Sequence, residues 1–327
     1  MSTRIITFAA AVAGLVLAVA AGEARAKEPL KIGYSDWPGY TSWEIGKVKG
    51  IFKKNGVDVE LVWFPVYTDS LTAVNTGQLD GNLQTWSDLM APLAEGIDLK
   101  VVQVLDNSFG NDAIVAKPGI NSVKELKGKT VGTELATVDH FMLLKALAMN
   151  GMTEKDIKYT NLTVGDAAAA FIAGKIDAAA IWQPWISQIQ REGKGKVIFS
   201  SADIPGLVPD IVVFHDKVLK ERSDDVQAAV KSYFEIVDFI RNHEDEAVAI
   251  MAKVVEQPPA DYKAFMPGTK FFDLKENLNA FEKRDDASSL YGSGKIIADF
   301  LKSADQIKKV PDYAAALEPK YVKALAK

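Results

Sequence analysis

Residues 31–43 read KIGYSDWPGYTSW. An apolar strand ends near Tyr34 and runs into Asp36-Trp37-Pro38-Gly39-Tyr40, a carboxylate and two large aromatics on one turn. Aromatic rings favour the interior, so such a turn serves either local structure or something bound against it. In the local reading Asp36 caps the helix that begins near Thr41, or organises the Trp37-Pro38-Gly39 turn. In the binding reading Asp36 and Trp37 sit on the rim of a cleft and face a ligand. Other reactive chemistry is sparse. The chain has no cysteine, which excludes disulfides, thiolate nucleophiles and cysteine-based metal sites. Its three histidines, His140, His215 and His243, are not at metal-ligand spacing, and no calcium-loop pattern of carboxylates is present. No nucleophile–base pair can be picked out. The expectation is a protein without cofactor or resident metal, and not an enzyme.

The bulk numbers agree with a soluble, well-cored protein. The chain has 327 residues, 48% hydrophobic and 25% charged, enough for two lobes or one large domain. The net charge of −5 comes without a Lys/Arg run, so nucleic acid is not an expected partner. Arg4, the apolar run from Ile5 and Ala24-Arg25-Ala26 have the order of a secretory signal, with a membrane anchor as the other reading. The expectation is a signal peptide over residues 1–26, cleaved after Ala26, and a periplasmic, monomeric mature protein.

The elements that must position the turn follow an α/β grammar. PLKIGYS reads as a strand, TSWEIGKVKGIFKKNG as a helix stopped by Gly56, and VDVELVWFP as a strand with Trp63 inside the core. Helix YTDSLTAVNTG and strands QLDGNLQTW and DLKVVQVLD follow. A second copy of this pattern begins further on. Asp69, Gly77 and Asp80 recur as Asp166, Gly174 and Asp177 in one register, and the NG at 55–56 recurs at 150–151. Two similar lobes are expected, with residues 27–110 and 216–327 in the first and 111–215 in the second. The chain would cross between them near 109–115 and again near 209–216, where strand 210–215 returns. A cleft between two hinged lobes is a natural ligand site.

The segments AIVAKPGINSV, ELKGKTVGT and the Gly-x-φ-Asp-Ala-Ala-Ala-Ile-Trp-Gln-Pro-Trp run at 174–185 resemble the substrate-binding proteins of nitrate/sulfonate/taurine-type ABC importers. IGYSDWPGY is similar to a narrower branch found beside urea- and guanidine-degrading carboxylases. The resemblance implies an α/β, two-lobed periplasmic binding protein (venus flytrap, type II-like) with two hinge crossings. Its partners would be a small-molecule ligand and an ABC permease and ATPase complex. The same fold resembles thiamin-pyrimidine synthases, a remote enzyme alternative.

Carried over by position, the ligand-facing loops supply Asp36, Trp37, Trp86, Asp112, Glu134, Thr137, Asp139, His140, Trp182, Trp185 and Asp210. This set has no Lys or Arg and is rich in carboxylates and indoles. Carboxylates offer charge-assisted acceptors and indole faces attract cations. The main expectation is therefore a small cationic nitrogen compound, guanidinium- or urea-like. The alternative is an oxyanion or zwitterion, such as a sulfonate, taurine or nitrate, or a quaternary amine. Glu134 and Asp139 also have a local reading as caps of the helix after Thr137.

Overall fold

The computed structural model describes residues 28–326, so the expected signal peptide and its cleavage site lie outside the described residues. Eleven described strands carry the fold: β1 (Leu30–Tyr34), β2 (Val59–Trp63), β3 (Gly81–Thr85), β4 (Leu99–Ser108), β5 (Asp112–Ala116) and β6 (Thr130–Thr133), then β7 (Lys158–Asn161), β8 (Ala178–Trp182), β9 (Lys196–Ser200), β10 (Pro209–His215) and β11 (Thr269–Phe271). They form a six-stranded sheet in the order β11-β4-β10-β3-β1-β2 and a five-stranded sheet in the order β7-β6-β8-β5-β9. In each sheet one strand is flanked by two parallel neighbours, β1 by β2 and β3, β6 by β7 and β8. Strands β3, β5 and β8 are buried along their whole length, as expected of strands covered by helices on both faces.

The repeat seen in the sequence has a structural cause. Gly77 and Gly174 both take φ of +75° after the helices Tyr67–Asn75 and Val164–Ile172, a conformation that disfavours any side chain. Asp80 then accepts the backbone N–H of Lys31 at 2.9 Å, and Asp177 accepts that of Thr130 at 2.9 Å. Each aspartate thus ties the third strand of its unit to the first.

The return strand corrects the sequence-based division. Strand 210–215 returns at the second crossing as expected, but the second lobe was bounded at 215, whereas β10 already pairs with β3 and β4 of the first sheet. The two halves exchange a strand: β5 leaves the first unit to pair with β8, and β10 leaves the second to pair with β3. The chain therefore crosses between β4 and β5 and again between β9 and β10.

Two smaller differences have local reasons. The helix expected over 41–56 is broken into Pro38–Thr41, Trp43–Val48 and Ile51–Lys54, with Gly50 at φ +67° between the last two. Trp63, expected inside the core, is 36% exposed because β2 is an edge strand; its ring leans on Tyr34 at 5.2 Å.

Candidate functional site

Parallel strands β1, β3 and β8 end at the junction of the two sheets, where open α/β folds place their ligands. The crossing strands β5 and β10 run antiparallel to β8 and β3, so their first residues arrive at the same edge. Asp112 lies opposite Trp182 in one sheet, and Asp210 lies opposite Thr85 in the other. Between them is a narrow void of about 10 Å³, walled by Trp37, Tyr40, Tyr67 and Trp182, with Ser35, Thr85, Asp112, Val138 and Asp210 completing the lining. That is about the room one water needs.

Each wall ring is held at its polar tip by a carboxylate. Trp37 Nε1 donates to Asp106 at 3.1 Å, Tyr67 Oη to Asp88 at 2.8 Å, and Tyr40 Oη to Asp210. Trp182 and Trp185 donate their indole N–H groups to the two oxygens of Asp36, at 2.8 and 2.7 Å. Gly39 lets the Trp37 turn close on its partner, since a Cβ there would lie 1.8 Å from Asp106 Oδ2. Three carboxylates join the halves. Asp36 reaches the second sheet through Trp182 and Trp185, and Glu134 accepts Thr68 N and Oγ1 at 3.1 and 2.6 Å. Asp88 accepts the backbone N–H of Val138, at the start of helix Val138–Met149.

The electrostatics are one-sided. Asp36, Asp88, Asp106, Asp112, Glu134, Asp139 and Asp210 are all buried, while no Lys or Arg is buried among the described residues. Burial pushes the Asp36 carboxyl up to about 6 against the two indole hydrogen bonds, and Asp88 up to about 7 against those from Ser87 and Tyr67. Asp112 is raised to about 8, chiefly by burial, with the charges of Asp210 and Asp88 adding to it. Asp106 and Asp210 face each other across β4 and β10; burial and then the charge of Asp106 hold Asp210 well above the carboxylate range. Asp139 is likewise held well above it, by burial first and then by Asp112. Three carboxylate oxygens here have no hydrogen-bond partner: Asp112 Oδ2 and both oxygens of Asp139. Among the described residues no group of three or more His, Asp or Glu is arranged to hold a metal ion.

The structure sorts the expected residues. Trp37, Asp112, Trp182 and Asp210 line the void. Asp36, Glu134 and Trp185 line a wider outer recess instead. Asp36 does not cap the following helix, whose N-cap is Trp37 without a side-chain bond. Trp86 is no wall at all: it is fully buried, donates to Leu290 O at 3.2 Å and packs edge-on against Tyr313. Thr137 spends its hydroxyl on Glu134 O at 2.8 Å, and His140 spends its ring on Ala136 N and Glu154, at 3.3 and 2.7 Å. Both face a different recess, beside Leu301 and Ile307. Tyr67 and Asp106 were not expected here. A tyrosine beginning a helix after an edge strand was the available signal for Tyr67; Asp106 gave none, since its role depends on a turn 69 residues away.

The NMT1/THI5-like family model matches residues 37–247. The chain belongs to the NMT1/THI5-like family. An Escherichia coli (strain K12) relative, provisionally named an aliphatic sulfonates-binding protein, is 27% identical over 285 residues, covering 84% of this chain and 88% of the relative. The taurine-binding periplasmic protein of the same strain is 22% identical over 67% of this chain and 71% of its own. Among solved structures, the alkanesulfonate-binding protein SsuA from Xanthomonas axonopodis pv. citri bound to MOPS superposes with a TM-score of 0.77 at 22% identity, over 90% of this chain and all of that one. That likeness establishes the two-lobed binding-protein fold. The expectation of a binding protein and not an enzyme is met by these family members. On the ligand, their names support the sulfonate or taurine alternative better than the cation.

Proposed function

We propose that this NMT1/THI5-like chain is the periplasmic solute-binding component of an ABC importer, and that its ligand is a small organic cation of the guanidinium type. One observation carries the choice of ligand: seven carboxylates are buried around the void and no Lys or Arg is buried with them. An anion placed there meets like charge at short range wherever one of these carboxyls is ionised. Apart from the protons held on the raised carboxyls, donors are scarce. Trp37, Tyr40, Tyr67, Thr85 and Trp182 already donate to carboxylates, and Ser35 Oγ is the unpartnered hydroxyl on the lining. The helix start at Val138, the usual seat for an oxyanion, is taken by Asp88.

The second reading, a sulfonate or a zwitterion such as taurine, is favoured by the relatives' names. A thermal-shift and calorimetry panel of guanidinium, methylammonium, taurine, sulfate and nitrate separates the two. Stabilisation by the cations supports the proposal; stabilisation by taurine or sulfate with no response to any cation replaces it with the second reading. Export with cleavage after Ala26 belongs to the same proposal, and an intact mass beginning at Lys27 is its check.

A further inference from the structure

The buried carboxylates divide by what they already hold. Asp36, Asp88, Asp106, Asp210 and Glu134 each accept hydrogen bonds from the protein, and the first four grip the tips of aromatic side chains. Asp112 and Asp139 differ in keeping oxygens unpartnered, although Asp112 also accepts from Ser108. Asp112 is 2% exposed, lines the void and keeps Oδ2 without a partner. Asp139 is fully buried with neither oxygen partnered, next in chain to the lining residue Val138, and Asp112 is the carboxylate that acts on it most strongly.

A buried acceptor without a donor is costly, more so when ionised. Native proteins keep such groups where a ligand satisfies them. We propose that Asp112 contacts the ligand directly, with the fully buried Asp139 beside it, and that this pair selects a cation carrying several N–H donors over one whose charge is cloaked in methyl groups. This rests on the cation reading of the same cleft. The aromatic walls alone would serve a quaternary ammonium as well as a guanidinium, because ring faces attract charge without needing a hydrogen bond. Three orphaned carboxylate oxygens would stay unpaired beneath a quaternary ammonium, whereas a guanidinium brings N–H groups in a plane suited to carboxylate pairing. The other carboxylates then act on affinity through the rings they hold, as positioning residues.

Calorimetry on the mature chain with guanidinium chloride, tetramethylammonium chloride and taurine, repeated on Asp112→Asn and Asp139→Asn, tests this. Guanidinium should bind at least about 100-fold tighter than tetramethylammonium, and each variant should weaken guanidinium about 30-fold or more. Melting curves without ligand supply a second readout. Above about pH 8 the Asp112→Asn variant should melt higher than the wild type, because it removes a buried, repelled carboxylate that is protonated at lower pH, whereas a merely structural aspartate would melt lower when replaced. Equal binding of guanidinium and tetramethylammonium, or wild-type affinity in both variants, overturns the division of roles while leaving the cation reading in place. Binding of taurine with no binding of either cation overturns both.

Discussion

Asp36 offers a measurement of what holds the cleft shut. Its carboxylate takes indole N–H groups from Trp182 and Trp185 at 2.8 and 2.7 Å, on the opposite half of the molecule. Hydrogen bonds to a charged acceptor are worth about 1.5–3 kcal/mol each, so the pair contributes roughly 3–6 kcal/mol to closure. Against this stands the cost of drying the carboxylate. The carboxyl still sits at about 6 with both indole bonds in place, so drying outweighs the bonds for the charged form. The variants read the loss of the bonds themselves, roughly a 100-fold change in apparent affinity or more. Asp36→Ala removes both acceptors, while Asp36→Asn removes the same charge but keeps one carbonyl oxygen for one indole. Calorimetry should therefore rank affinity as wild type, then Asn, then Ala. Small-angle scattering at a fixed ligand concentration should show the Ala variant as the least compact. Equal affinity and equal compaction in all three proteins would falsify the latch. Were Ala and Asn weakened by the same factor, charge alone would account for the loss and the two indole bonds would contribute nothing to closure.

Two further outcomes follow from the same geometry. Folded carboxyls at about 6 to 8 bind protons that an unfolded chain, near 3.8, has already released. Their contribution to stability is thus complete below about 3.8 and is lost as pH rises through 6 to 8, so the ligand-free melting temperature should fall across that window. Cation affinity should move the opposite way and strengthen as pH rises through about 8, where Asp112 ionises, with protons released on binding; a flat affinity profile with no proton release would remove Asp112 from the contact. Gly39→Ala should lower stability by about 1–3 kcal/mol in a denaturant titration and weaken ligand binding as well. The added Cβ would sit 1.8 Å from Asp106 Oδ2 and 2.8 Å from Trp37 Nε1, and an unchanged midpoint would show that the turn has slack.

What the chain declares by itself is whatever depends on local backbone geometry or on residue inventory. Gly77 and Gly174 could be matched in the sequence because a positive φ after a helix is nearly a glycine requirement, and Asp80 and Asp177 because a carboxylate close behind that glycine has one strand end within reach. The acidic, indole-rich character of the cleft was legible for the same reason: charge and ring type survive any fold. Partners distant in sequence were not legible. Trp86 and Trp182 stand alike at the close of a buried strand, yet one packs under a helix 204 residues later and the other walls the void. The crossings near 109–115 and 209–216 were legible from the repeat, but which strands β5 and β10 would pair with was not, because their apolar runs suit either sheet. Which aspartates grip rings and which stay unpaired was decided by tertiary structure alone, since Asp106 meets Trp37, and Asp36 meets Trp182 and Trp185, only when two sheets built from interleaved segments close on each other.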